Sequence, residues 1–183
     1  MSTMTITEMR AASRLRSAND FPGTIRSQFP YWDGQFRPYL LLALDALPAD
    51  RFDYKPQPSM LTAHQTLLHI AEAEHSWMSI VDGKNSEEWV VELPNGEGYK
   101  TVIDAPDHAA VRALLEKSHA RVQEWLDKPV AELGKVITYR ADDGVERQYT
   151  IHWMLDHLQE HEIHHRAQLN MYLRMMGITP PSI

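Results

Sequence analysis

A chain of 183 residues can form one domain with a real hydrophobic core, and 43% apolar with 23% charged residues fits a folded globular protein. A net charge of −7 argues against broad binding to phosphate backbones, so no nucleic-acid partner is expected. The absence of cysteine excludes disulfides, thiolate metal sites and cysteine nucleophiles, which leaves nitrogen and oxygen donors for any metal. No run approaches the ~18–20 apolar residues of a membrane span, and the polar start MSTMTITEMRAASRLRSAND lacks the apolar centre of a secretory signal. The expected location is therefore the cytoplasm, with no membrane partner.

In chain order, residues 1–30 read as an arm or short helix broken by Pro22, Gly23 and Pro30. From Trp32 to Leu47, the residues Phe36, Tyr39, Leu40, Ala43, Leu44 and Leu47 recur at helical spacing, with Pro38 near the start and Pro48 ending the run. Asp53–Pro58 is an extended connection. A second helix is expected from about Thr62 to Val81, burying Leu67, Leu68, Ala71, Met78 and Val81 and stopping at Asp82-Gly83. Lys84 to Pro106 reads as loop, with Pro94-Asn95-Gly96 as a turn. A third helix fits Pro106–Lys128, starting at Asp104 or Ala105, with Val111, Leu114, Leu115, Val122, Trp125 and Leu126 inward. Lys135–Arg140 and Val145–Tyr149 flank Asp142-Asp143-Gly144 and read as a hairpin or extended loop. The last helix has Thr150 as N-cap, runs to about Met176, and is closed by Gly177 and Pro180-Pro181. Four helices around one interior are most economically an all-α four-helix bundle, spanning residues 31–183 after the arm at 1–30.

Of ten histidines, five lie between positions 152 and 165: His152, His157, His161, His164 and His165. On a helix, positions four apart are offset by roughly 40° and about 6 Å, so His161 and His165 can aim at one point. Two imidazoles on one helix do not make a tight site, so a third ligand is expected from the second helix, which offers His64, His69 and His75. His108 and His119 lack such company and are expected to be solvated, and His152 to be structural. His157 shares the face of His161 and reads as pocket lining or support. His164, about 100° from His165, is expected to hydrogen-bond a neighbouring element. Glu160, Glu162 and Arg166 are expected at the surface or in weak salt bridges. Met154, Leu155, Leu158 and Leu169 read as core.

The run DHLQEHEIHHRAQLNMYLRMMGITPP resembles the C-terminal signature of the DinB/YfiT-like family, and TAHQTLLHIAEAEHSW resembles its second-helix pattern. The likeness covers roughly residues 30–181, with Ala167 standing where that family often has glycine. The resemblance implies an antiparallel four-helix bundle with a three-histidine metal centre that leaves coordination positions open. Carried onto this chain, the ligands would be His69, His161 and His165. His64, facing differently by roughly 140°, is the alternative first ligand.

Three imidazoles suit a divalent ion, zinc or nickel first and iron or manganese after them. The resemblance further implies a homodimer acting on a small molecule, with a low-molecular-weight-thiol S-transferase as the leading function. A metal-dependent hydrolase is the second reading, with Glu72, Glu74 and Glu162 as its only general-base candidates. A non-catalytic metal-binding stress or interaction protein is the third.

Overall fold

The computed structural model describes residues 5–13, 17–83, 90–92, 99–101, 105–141 and 143–182. Among them are five α-helices: α1 (Ile6–Ser13), α2 (Arg37–Ala46), α3 (Ala63–Val81), α4 (His108–Leu126) and α5 (Ile151–Met175). The last four are the helices expected from apolar spacing. Their ends follow local chemistry. Thr62 accepts from the Gln65 backbone N–H while the Gln65 side chain accepts from the Thr62 backbone N–H, a reciprocal cap for α3. Asp107 caps α4 by accepting from the Ala110 backbone N–H, and Thr150 caps α5 by accepting from that of Trp153. Gly177, at φ 78°, turns the chain out of α5 in the left-handed region that a side chain would disfavour. Pro38 lies in the first turn of α2, where its fixed φ suits the start of a helix. Ahead of it, Trp32–Phe36 forms a π-helical turn, so the run expected from Trp32 is not uniformly α.

Two departures from an all-α reading are present. The strand-like runs after α4 form a hairpin, β3 (Val136–Arg140) and β4 (Glu146–Thr150), in register from Val136–Thr150 to Arg140–Glu146. Within the expected loop between α3 and α4, β1 (Val90–Glu92) pairs with β2 (Tyr99–Thr101). Pairing satisfies the backbone groups of these short pieces, which are rich in β-branched and aromatic residues. Asp104, the Pro94-Asn95-Gly96 turn and Asp142 lie outside the described residues.

The helices do not simply alternate in direction. Trp125 Nε1 near the end of α4 donates to Asp82 at the end of α3 (3.4 Å), and His64 Nε2 near the start of α3 lies 2.7 Å from the Ala105 carbonyl ahead of α4. So α3 and α4 run parallel. By contrast, Tyr172 late in α5 donates to the Leu61 carbonyl before α3, and Trp77 late in α3 packs against Trp153 early in α5. Those two are antiparallel. His108 at the start of α4 meets the Leu47 carbonyl just after α2, which makes α2 antiparallel to α4 and parallel to α5. The fully antiparallel bundle is thus corrected to two antiparallel pairs. A 19-residue helix is about 28 Å long, and the chain between Val81 and His108 is long enough to run back over it.

Two apolar clusters fill the interior. One gathers Leu40, Leu44, Leu67, Leu68, Val111, Leu115, Leu169 and Leu173. The other gathers Trp32, Met78, Val122, Trp125, Ile151, Met154 and Leu158, and takes in Ile25 and Phe29 from ahead of the expected start of the bundle. No helix among the described residues is long and apolar enough to cross a membrane. Leu115 is fully buried, so Leu115→Ala should cost 2–5 kcal/mol of unfolding free energy in urea denaturation. Val136→Ala on the exposed strand should stay within about 0.5 kcal/mol.

Candidate metal centre

Glu162 and Arg166 are not at the surface. Along α3, α4 and α5, a polar layer separates the two apolar clusters. Arg37, 5% exposed, reaches in from α2 and donates through Nη1 to Glu162 Oε2 (2.8 Å) and Glu74 Oε1 (3.1 Å), and through Nη2 to the Leu115 carbonyl. Ser118 donates to Glu74, and Trp32 Nε1 donates to Glu162. His119, expected to be solvated, is 4% exposed and bridges Glu74 through Nδ1 and Asp33 through Nε2, both at 2.8 Å. Burial and the neighbouring Arg37 disfavour a charge on His119, but the charge of Glu74 and the hydrogen bonds His119 donates to both carboxylates prevail and push it up to about 9. Asp33 is opposed by burial too, yet the hydrogen bond and charge of His119, with Arg26, bring it down to about 2. Arg166 places its guanidinium 5.4 Å from the centre of the Tyr39 ring, and burial lowers its pKa.

Adjacent residues on a helix diverge by roughly 100°. With Glu162 turned into this layer and Arg166 turned toward Tyr39 of α2, their neighbours His161 and His165 face α3 instead. There they meet His69. His69 Nε2 and His161 Nε2 are 3.0 Å apart, His161 Nε2 and His165 Nε2 are 3.1 Å apart, and the three ligand atoms lie within 4.8 Å of one another. Nitrogens sharing one ion at about 2.0–2.1 Å, at angles between tetrahedral and octahedral, sit roughly 2.9–3.4 Å apart. The donor set therefore fits a divalent ion. No carboxylate of the described residues belongs to this group.

Burial disfavours protonation of all three rings. It lowers His69; burial and then the crowding of His165 and His69 take His161 down to about 2. Burial takes His165 to about 4, against the opposing hydrogen bond to Gln168. At neutral pH the imidazoles keep their lone pairs. His165 Nδ1 is 2.8 Å from Gln168 Oε1, and Gln168 Nε2 is 3.0 Å from His164 Nε2. His164 thus bonds within its own helix, not to a neighbouring element.

On one side of the centre stands a wall of rings. His157 stacks on Trp153 (centroids 5.0 Å), Trp153 stacks on Tyr149 of β4 (4.3 Å), and Trp77 meets His157, Trp153 and Tyr149 edge-on. The His157 ring is 6.0 Å from that of His161, so it stands beside the centre. His64 is elsewhere: it and His108 sandwich Phe52, each at 4.5 Å. His152 is exposed and touches Phe29 edge-on.

Glu74, His119 and Glu162 form a second group of potential metal donors. Arg37 already sits between its carboxylates and His119 carries a proton, so the first group is the better cation site. Arg37, Asp33, Ser118 and Gln168 had escaped notice in the sequence. Arg37 was discoverable as a cation on the apolar face of its helix, and Gln168 as an amide one turn beyond His165.

The fold and the paired helical histidines define a DinB-like four-helix protein with a candidate three-histidine centre. The chain belongs to the DinB family, whose model matches residues 29–183. It is 25% identical over 138 residues to the uncharacterized protein YjoA of Bacillus subtilis (strain 168), a match covering 74% of this chain and 80% of that one. To the uncharacterized protein YizA of the same organism it is 27% identical over 118 residues, covering 64% and 66%. Its fold is similar to that of a solved DinB-like protein from Bacillus cereus ATCC 10987, with TM-score 0.64, 16% identity and coverage of 88% and 98%. The solved structure of Bacillus subtilis YjoA gives TM-score 0.60 at 22% identity, covering 87% and 96%.

Two outcomes check the polar layer. Arg37→Met leaves buried carboxylates without their cation and should cost 3–5 kcal/mol by chemical denaturation. Because the His119 pKa is raised from 6.5 to about 9 in the fold, its stabilisation is complete below about 6.5 and is lost as pH rises through 9. Metal-free protein should lose stability over that interval, and His119→Gln should flatten this alkaline limb. Parallel profiles for the two proteins would contradict the assignment.

Proposed function

We propose that His69, His161 and His165 hold a divalent metal ion, and that the protein is a metal-dependent enzyme of the thiol S-transferase kind. The observation that carries this reading is the convergence of three neutral Nε2 atoms from two helices at separations that suit one ion. When bound, such an ion supplies Lewis acidity and favours the deprotonated form of a thiol or water ligand. Three imidazoles are fewer donors than common coordination numbers require, which leaves room for substrate.

The chain's own residues favour a thiol over a water nucleophile. Hydrolysis is best served by a carboxylate base beside the centre, yet two of the three candidates, Glu74 and Glu162, are committed to Arg37, and the donor group itself contains no carboxylate among the described residues. A thiol, with an ordinary pKa near 8.5, is acidic enough to ionise on a cation without such a base. The thiol would release its proton to solvent. Its sulfur would bond to an electrophilic carbon of a small co-substrate as the bond from that carbon to its leaving group breaks and the leaving group departs with the electron pair. The rings of Trp77, Trp153 and His157 would form one wall for that substrate.

Protein purified without a histidine tag and loaded with zinc, nickel, iron or manganese should retain about one ion per chain for at least one of these metals. The His161→Ala/His165→Ala double variant should retain none, and His64→Ala should match the wild type. Equal metal content in wild type and double variant would overturn the site. Turnover of electrophilic substrates should require added low-molecular-weight thiol. Thiol-independent hydrolysis of esters or amides would replace the transferase reading with the hydrolase one.

A further inference from the structure

We propose that Gln168 is the positioning residue that selects the ligating tautomer of His165. The inference rests on the metal-ligand reading above. A neutral imidazole carries one proton on two nitrogens, so a ring that ligates through Nε2 must keep its proton on Nδ1. In open water the opposite tautomer is the commoner one. An acceptor at Nδ1 therefore prepares the ring before any metal arrives.

The structure supplies that acceptor. His165 Nδ1 is 2.8 Å from Gln168 Oε1, while His165 Nε2 points toward His161 Nε2 at 3.1 Å. Gln168 lies one helical turn beyond His165, so a rigid stretch of α5 holds both. A glutamine amide could equally present its NH2 group, which would leave the proton on Nε2 and block ligation. In the structure the amide presents Oε1 to His165 Nδ1 and its nitrogen to the His164 side, 3.0 Å from His164 Nε2, which is the orientation that leaves His165 Nε2 free to ligate.

Neither Glu160 nor Glu162 performs this task. Glu160 is exposed, and Glu162 accepts from Arg37 and Trp32 on another face of α5. Glutamine adds no charge beside the centre, so it orients His165 without changing the net charge of the ligand set.

The test compares substitutions that keep, remove or invert the acceptor. In competition titrations with zinc(II) alone, Gln168→Leu should weaken binding about 10- to 100-fold, the usual effect of losing an outer partner of a ligand. Gln168→Glu retains an acceptor and should keep wild-type affinity or exceed it. Gln168→Lys, which only donates, should bind no better than Gln168→Leu. Wild-type affinity in Gln168→Leu, or a loss in Gln168→Glu as large as in Gln168→Leu, would overturn the proposal. The second readout needs no metal: 15N-edited NMR of the imidazoles in the metal-free protein should show His165 protonated on Nδ1 in wild type and Gln168→Glu. A His165 ring protonated on Nε2 in the wild type would overturn the proposal whatever the zinc titrations give. If the wild-type protein binds no ion, the metal reading fails, while the tautomer still decides the role of Gln168.

Discussion

Arg37 enters the middle of the bundle from α2 and donates to Glu74 on α3, to Glu162 on α5 and to a backbone carbonyl on α4. Every helix of the bundle therefore contributes to one buried polar layer, with apolar packing above and below it. Apolar side chains tolerate small axial slips, because hydrophobic burial has no direction. Charged groups out of contact with water do not, since a displaced partner leaves a buried charge uncompensated. The ion pairs and hydrogen bonds of the layer require the four helices in this alignment. A buried ion pair gains little over an apolar substitute of the same size, so its physical consequence lies in register more than in net stability.

That register places the histidines. Glu162 and His161 are neighbours, as are Arg166 and His165, and each pair splits between two faces of α5. Holding the charged member toward α2 turns the imidazole toward α3. On α3, Glu74 faces the layer and His69, more than one turn earlier, faces α5. The parallel course of α3 and α4 matters as well. It brings Ser118 and His119 level with Glu74, so α4 completes the layer instead of presenting those groups elsewhere. The His-Glu and His-Arg dipeptides of the C-terminal signature thus split their roles, a candidate ligand on one face and a buried charged group on the other.

Much of this was legible in the chain. Apolar periodicity and caps located the four long helices, and the runs around Asp142-Asp143-Gly144 marked the hairpin. The spacing of His161 and His165 put two imidazoles on one face, and likeness to a family supplied His69. The polar layer was misread. Glu162, Arg166 and His119 looked like surface groups because charged side chains usually are, and their burial depends on Arg37, which is distant in sequence. His64 and His108 looked like a spare ligand and a solvated group, yet both stack on Phe52 from a connection whose path no periodicity describes.

The sequence by itself determined the local physics: where helices start and stop, which faces are apolar, and that two histidines four residues apart share a direction. These follow from hydrogen-bonding and side-chain geometry within one or two turns. Only the tertiary structure decided which charges are buried, which helices run parallel, and that His69 meets His161 at 3.0 Å while Gln168 holds the far side of His165. Those outcomes depend on contacts between residues far apart in the chain, and on an interior where a carboxylate must find its guanidinium or not be buried at all.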